Sequence, residues 1–124
     1  MNPSNSLIGL ILTNSELRDQ VCNFLRTGGF KVVSLDSPKY SPDLMNQFSM
    51  LIVSAEIGLK HQSTLLHLKH MGRPYPILVI CGHNADEVMS WVEAGFDDAL
   101  PFPMGQSVVC NMVRAYLPAG VAAG

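Results

Sequence analysis

The sequence is short of charge, of cysteine and of long apolar runs, and each shortage removes a class of protein. Charged residues make up 15% of its 124 positions, 8 basic against 10 acidic, for a formal net charge of −2. A nucleic-acid surface needs a basic stripe that displaces counterions from phosphate, and no such stripe is present. Direct nucleic-acid binding by this domain is therefore not expected. Cys22, Cys81 and Cys110 are odd in number, scattered, and form no CxxC pair. That pattern fits reduced thiols in a cytoplasmic protein and not a disulfide scaffold. No apolar run approaches the roughly 20 residues that span a membrane. The start, Met1-Asn-Pro-Ser-Asn-Ser6, lacks the basic region of a signal peptide.

What is present is apolar and periodic. Hydrophobic residues make up 48% of the chain, enough for one domain with one core and some surface left over for a partner. Leu51, Ile52 and Val53 run without a polar break and stop at Ser54. A strand half-exposed to water alternates apolar and polar residues. An unbroken short run reads as a strand covered on both faces. Leu7 to Leu12 and Ile77 to Ile80 share this character. Lys31 to Leu35 is shorter and more polar, and Ala99 to Phe102 is crowded by Pro101 and Pro103, so both suit sheet edges.

Helical sequence separates these strands. Asn14 or Ser15 caps a first helix whose Leu17, Val21, Phe24 and Leu25 share one face, and Gly28-Gly29 ends it. Ser41-Pro42-Asp43 starts a second helix, with Leu44, Met45 and Phe48 toward the core. A loop through Glu56 and Gly58 leads to a third, about Gln62 to Met71, which buries Leu65, Leu66 and Leu68. Asn84-x-x-Glu87 opens a fourth, to Ala94, and a fifth runs from about Gln106 to Leu117. Strict alternation predicts a flavodoxin-like (βα)5 α/β sandwich of three layers. Its parallel sheet has order 2-1-3-4-5, with strand three central. The domain spans 1–118, and 119–124 reads as a tail or the start of a linker. In such sheets the site lies past the carboxyl ends of the strands, so Thr13, Ser54 and Cys81 should surround one mouth.

Glu93-Ala-Gly-Phe-Asp-Asp-Ala-Leu-Pro-Phe-Pro103 resembles the end of the receiver domain of bacterial response regulators, roughly E-A-G-A-D-D-Y-L-x-K-P. Pro76-Ile-Leu-Val-Ile-Cys-Gly82 is similar to that family's fourth strand, and Leu51-Ile-Val-Ser54 to its third. Gly29-Phe30 and the spacing of Arg18 match its first helix. The likeness covers nearly the whole chain. It also implies a cis peptide before Pro103.

The departures from that family carry the functional reading. A working receiver places a phosphoryl group on an aspartate, using magnesium held by two acids. By the resemblance, the acid positions are Leu12 and Thr13, the acceptor is Ser54, the hydroxyl position is Cys81 and the lysine position is Phe102. Magnesium wants hard oxygen ligands, and phosphoryl transfer is mostly positioning and charge stabilisation. Leu12 offers no ligand and Phe102 no cation. Ser54 is a weak nucleophile without a base. The family's switch aromatic is replaced by Ala99. The resemblance therefore implies a degenerate receiver, a pseudo-receiver that keeps the fold without the phosphorylation chemistry.

Other candidates read as ordinary structure. His67 and His70 share a helix face, with His61 near, but no cysteine or acid joins them as zinc requires. Cys81 and His83 need not meet across a strand end, and a buried thiol acts as a small hydrophobe. Glu56 reads as a solvated loop acid, and Gly28-Gly29 as a helix end rather than a dinucleotide loop. Thr13-Asn14-Ser15 is a faint echo of a flavin phosphate loop, without its glycine.

The expected function is a non-enzymatic signalling module of a bacterial two-component system, without metal or cofactor, acting through protein contacts. The alternative is a flavodoxin-like domain that binds flavin, a nucleotide or another small molecule in the emptied pocket. The partner is a covalently linked output domain or a second copy of the chain. The face for a second copy is formed by helix four, strand five and helix five, with Trp91, Ala99, Val108, Met112 and Tyr116. Helix five has two apolar rows, Val109-Val113-Leu117 and Val108-Met112-Tyr116, that diverge by about 100°. One row suffices to cover the sheet.

Overall fold

The computed structural model describes residues 7–36, 45–70 and 75–117. Its elements are β1 (Leu7–Ile11), α1 (Ser15–Thr27), β2 (Lys31–Ser34), β3 (Met50–Ser54) and α2 (Ala55–Lys60). They continue with α3 (Gln62–Lys69), β4 (Ile77–Cys81), α4 (Ala85–Glu93), β5 (Asp98–Pro101) and α5 (Gln106–Tyr116). The strands pair in parallel in the order β2-β1-β3-β4-β5, as the sequence predicts. Every residue of β3 and of β4 is buried, which is why neither alternates with polar residues.

The sheet divides the core in two. Ile8, Leu10, Met50 and Ile52 face α1 and α5, where Val21, Leu25, Val109, Cys110 and Val113 meet them. Leu51, Val53, Ile77 and Val79 face α2, α3 and α4, where Ile57, Leu65, Leu68 and Trp91 close the other layer. Each such aliphatic side chain contributes about 1.5–3 kcal/mol when fully buried. Gly9 is required by this packing. A Cβ there would lie 2.7 Å from Leu51 Cδ2 on the paired strand.

Polar groups fix the ends. Asn14 Oδ1 accepts from Leu17 N at 3.0 Å, and Asn84 Oδ1 from Asp86 N at 2.8 Å, so each asparagine caps its helix. Gly29 and Gly95 take the positive φ of 94° and 115° that turns the chain after α1 and α4. At the amino ends of the strands Asp97 forms a clamp. Its Oδ2 accepts from Ile77 N at 2.8 Å and pairs with Lys69 Nζ, which also donates to the Tyr75 carbonyl at 3.2 Å.

Three expectations change. β1 ends at Ile11, one residue short of the apolar run, and α3 ends at Lys69 and not at Met71. Glu56 and Gly58 lie not in a loop but in α2, which starts directly after β3. The cause is Ser54, whose Oγ accepts from Ile57 N and caps that helix, with Glu56 favourably placed in its first turn. Met45 and Phe48 are buried as expected, whereas the helix start at Ser41-Pro42-Asp43, Leu44, Met71 and the tail 119–124 lie outside the described residues. Among the described residues no helix is long and apolar enough to cross a membrane.

Candidate functional site

The mouth at the carboxyl ends of β1, β3 and β4 is more hydrocarbon than polar. Leu12, one residue past β1, is buried against the core layer of α1 and α5, while Thr13 turns to solvent. Ser54 ends β3 and is buried, and its hydroxyl is used: it lies 3.4 Å from Ile57 N as the cap of α2. Cys81 ends β4, also buried, with its thiol 3.4 Å from the Gly82 carbonyl. Burial pushes the Cys81 thiol up, and the negative charges of Glu87 and Asp98 push it further. A thiolate is therefore disfavoured, which argues against a nucleophile. Phe102 is half-buried and packs on the same core layer as Leu12.

His83 does not serve Cys81. Its Nε2 lies 2.8 Å from the Pro103 carbonyl and must donate to it, holding the turn after β5. The Phe102-Pro103 peptide in that turn is cis, as the resemblance implied.

Magnesium does not fit this mouth. Leu12 is hydrocarbon, the Ser54 hydroxyl is engaged, and only Thr13 among the acid and acceptor positions has a free-standing oxygen at the surface. Among the described residues no three His, Cys, Asp or Glu side chains converge as a metal cluster. His67 and His70 are exposed.

Open space lies to one side of the mouth. A groove of about 370 Å³ runs between the first turns of α1 and the Phe102-Pro103 turn, lined by Asn14, Glu16, Leu17, Gln20, Phe102 and Pro103. Leu12, Ser54 and Cys81 take no part in it. The Glu16 carboxylate lines this groove, and a negative charge there disfavours a phosphate-bearing ligand such as a flavin or nucleotide. That chemistry counts against the ligand-binding alternative.

Two of the residues expected on a partner face are buried and need correction. Trp91 is 6% exposed and belongs to the core, edge-on to Phe96 with ring centroids 5.4 Å apart. Ala99 is 1% exposed. Neither can present itself to a partner. The reason is a tertiary contact: Gly58 of α2 leaves room for the indole, so Trp91 turns inward. The exposed apolar side chains of α4 are instead Met89 and Val92. Their spacing of three, with Trp91 removed to the core, is the signal that was available. On α5 the rows separate as expected. Val109, Val113 and Leu117 are buried, Val108 is exposed, and Met112 and Tyr116 are half-buried. Tyr116 is also held by polar bonds, its hydroxyl donating to Asp98 Oδ2.

No protein-family model and no curated protein matches the chain. Solved structures do. An orphan response regulator of Helicobacter pylori matches with TM-score 0.71 at 22% identity, covering 93% of this chain and 98% of that one. The receiver domain of a sensor histidine kinase from Pseudomonas aeruginosa, with magnesium in its active-site cleft, matches with TM-score 0.73 at 14% identity, covering 90% and 97%. NtrX from Brucella abortus, solved with ADP, matches with TM-score 0.75 at 18% identity, and this chain spans 90% of its own length but 26% of NtrX. The fold of this chain is thus the flavodoxin-like fold of response-regulator receiver domains.

Proposed function

We propose that the chain is a non-enzymatic signalling module, a receiver-like domain that works through protein contacts without being phosphorylated. The observation that carries this reading is the mouth. The position of a metal-binding acid is the buried Leu12, and the position of the phosphoacceptor is Ser54, whose hydroxyl caps α2. The receiver of the Pseudomonas aeruginosa kinase holds magnesium in its cleft. Here the equivalent chemistry would need oxygen ligands and a cation that Leu12 and Phe102 do not supply.

Contact surface remains. Met89 and Val92 on α4 are exposed, and on α5 Val108 is exposed with Met112, one turn on, half-buried. α5 carries a single charge, Arg114, where a solvated helix surface usually shows more, whereas α4 carries Asp86, Glu87 and Glu93. We take the occupant to be a second copy of the chain or an output domain joined to it, the arrangement in which a receiver-fold segment is about a quarter of a longer protein, as with NtrX.

Acetyl phosphate with magnesium tests the reading. The intact mass should not change. One added phosphoryl group on any strand-end residue would overturn it.

A further inference from the structure

We propose that α2 is a latch: its docking on Trp91 couples the end of β3 to α4, and its release exposes the indole. Several independent observations converge on this short element. α2 has six residues, with Gly58 in its middle and a cap bond from Ile57 N to Ser54 Oγ stretched to 3.4 Å. A free helix needs about 12–15 residues to persist in water. α2 therefore depends on what it docks against. Ile57 enters the core, and Gly58 lies on the indole of Trp91, where a Cβ would come within 2.9 Å of Cζ3 and 3.1 Å of Cη2.

The docked state leaves two groups poorly placed. Trp91 is 6% exposed, yet its Nε1 has no hydrogen-bond partner among the described residues. A buried donor without an acceptor costs free energy and calls for an explanation. Leu59, the residue after the contact glycine, is 71% exposed. Gly58 covers the benzene edge of the indole, at Cζ3, Cη2 and Cε3, so lifting α2 uncovers that edge at the cost of the Ile57 and Gly58 contacts. A short helix that persists only through its docking is the kind of element that opens ahead of the global fold, the requirement for a switch.

The ends of the latch meet two functional regions. Ser54 is at once the last residue of β3 and the cap of α2. Trp91 is on α4, whose outer side carries Met89 and Val92. A change at the mouth thus has a path to the proposed partner face, although the latch itself rests on packing alone and does not need that face to be an interface.

Trp91 is the single tryptophan, so its fluorescence reports this contact without interference. Ser54→Ala removes the cap of α2, Ser54→Thr keeps the hydroxyl, and Asn14→Ala removes the cap of α1 on the opposite layer. Ser54→Ala should shift Trp91 emission to the red, raise its quenching by acrylamide, and speed amide exchange in α2 and α4 together. Ser54→Thr should restore the parent signals, and Asn14→Ala should leave Trp91 unchanged. Faster exchange in α2 with Trp91 and α4 unaffected would overturn the proposal, as would no change anywhere. Should Ser54→Ala not fold, the parent protein in mild urea gives the same decision. Trp91 quenching and α2 exchange should rise before global unfolding, and a single coincident transition would count against a latch. These signals are intrinsic, so they hold or fail apart from any result on phosphorylation or self-association.

Discussion

The hydroxyl of Tyr116 donates to the Asp98 carboxylate at 2.7 Å and so ties the last turn of α5 to the first residue of β5. The other oxygen of Asp98 accepts from Ala99 N at 2.8 Å. The bond to Asp98 holds the phenol neutral, with burial and the charges of Asp98 and Asp97 adding to it, and its pKa is pushed up to about 12. A raised pKa favours the folded state only while the group keeps its proton. The contribution is complete below the ordinary value of 10 and is lost as pH rises toward 12. Tyr116→Phe should therefore flatten the alkaline part of the stability profile. At neutral pH it should cost about 1 kcal/mol, less than a buried bond to a charged group because water screens the half-exposed site. Urea unfolding of both proteins on either side of the tyrosine range checks this. An equal alkaline loss in the variant would place the titrating group elsewhere.

Asp97, the neighbour of Asp98 at the amino ends of the strands, joins three elements, so it should tolerate substitution poorly. Asp97→Ala leaves the Ile77 amide without its acceptor and Lys69 with only the Tyr75 carbonyl. The expected loss is about 2–3 kcal/mol, read from the denaturant midpoint. Asp97→Asn keeps an acceptor for Ile77 and should lose roughly half as much. Similar losses for the two variants would show that the charge, not the amide bond, dominates.

Restoring an acid at the mouth should not restore metal binding. Ser54→Asp preserves a good helix cap, which offsets part of the cost of placing a carboxylate in a buried position. The net destabilisation should be about 1 kcal/mol. The melting temperature should be the same with magnesium as with a chelator. A clear rise in magnesium would mean that the mouth offers oxygen ligands beyond those described above.

Met112→Glu should weaken self-association and spare the fold. Met112 is half-buried beside the exposed Val108, so a carboxylate there reaches water in the monomer but is trapped in a paired interface. Loss of about 1.4 kcal/mol or more corresponds to a tenfold or greater weakening. Sedimentation across a concentration range reads it directly. A protein that stays monomeric at high concentration, untouched by the substitution, would remove the homodimer and leave a partner from another chain.

The strand order and the asparagine caps were legible because each has a local cause. An unbroken run such as Leu51–Val53 has one reading, and a capping asparagine needs only its own helix. The separation of Val109 from Val108 follows from helical period alone. α2 was not legible, because Ser-x-Glu-x-Gly serves a loop as well as a capped turn. The direction of Trp91 was harder still. Val88, Met89, Trp91 and Val92 together surround much of α4, so period cannot choose a side. The choice comes from Gly58, which is remote in sequence and leaves a gap only the indole fills. Ala99 was misplaced for a related reason: an edge strand still buries its small residues beneath flanking helices.

Leu12 changes the physics of the whole carboxyl end of the sheet. Carboxylates gathered at a strand end repel one another and are eased by a counterion. With buried hydrocarbon at Leu12, an engaged hydroxyl at Ser54 and an aromatic ring at Phe102, that repulsion has no source at these positions. At those three positions a proton or cation has little to act on. Responsiveness in such a molecule shifts outward from its centre of charge to its margins, where short helices meet.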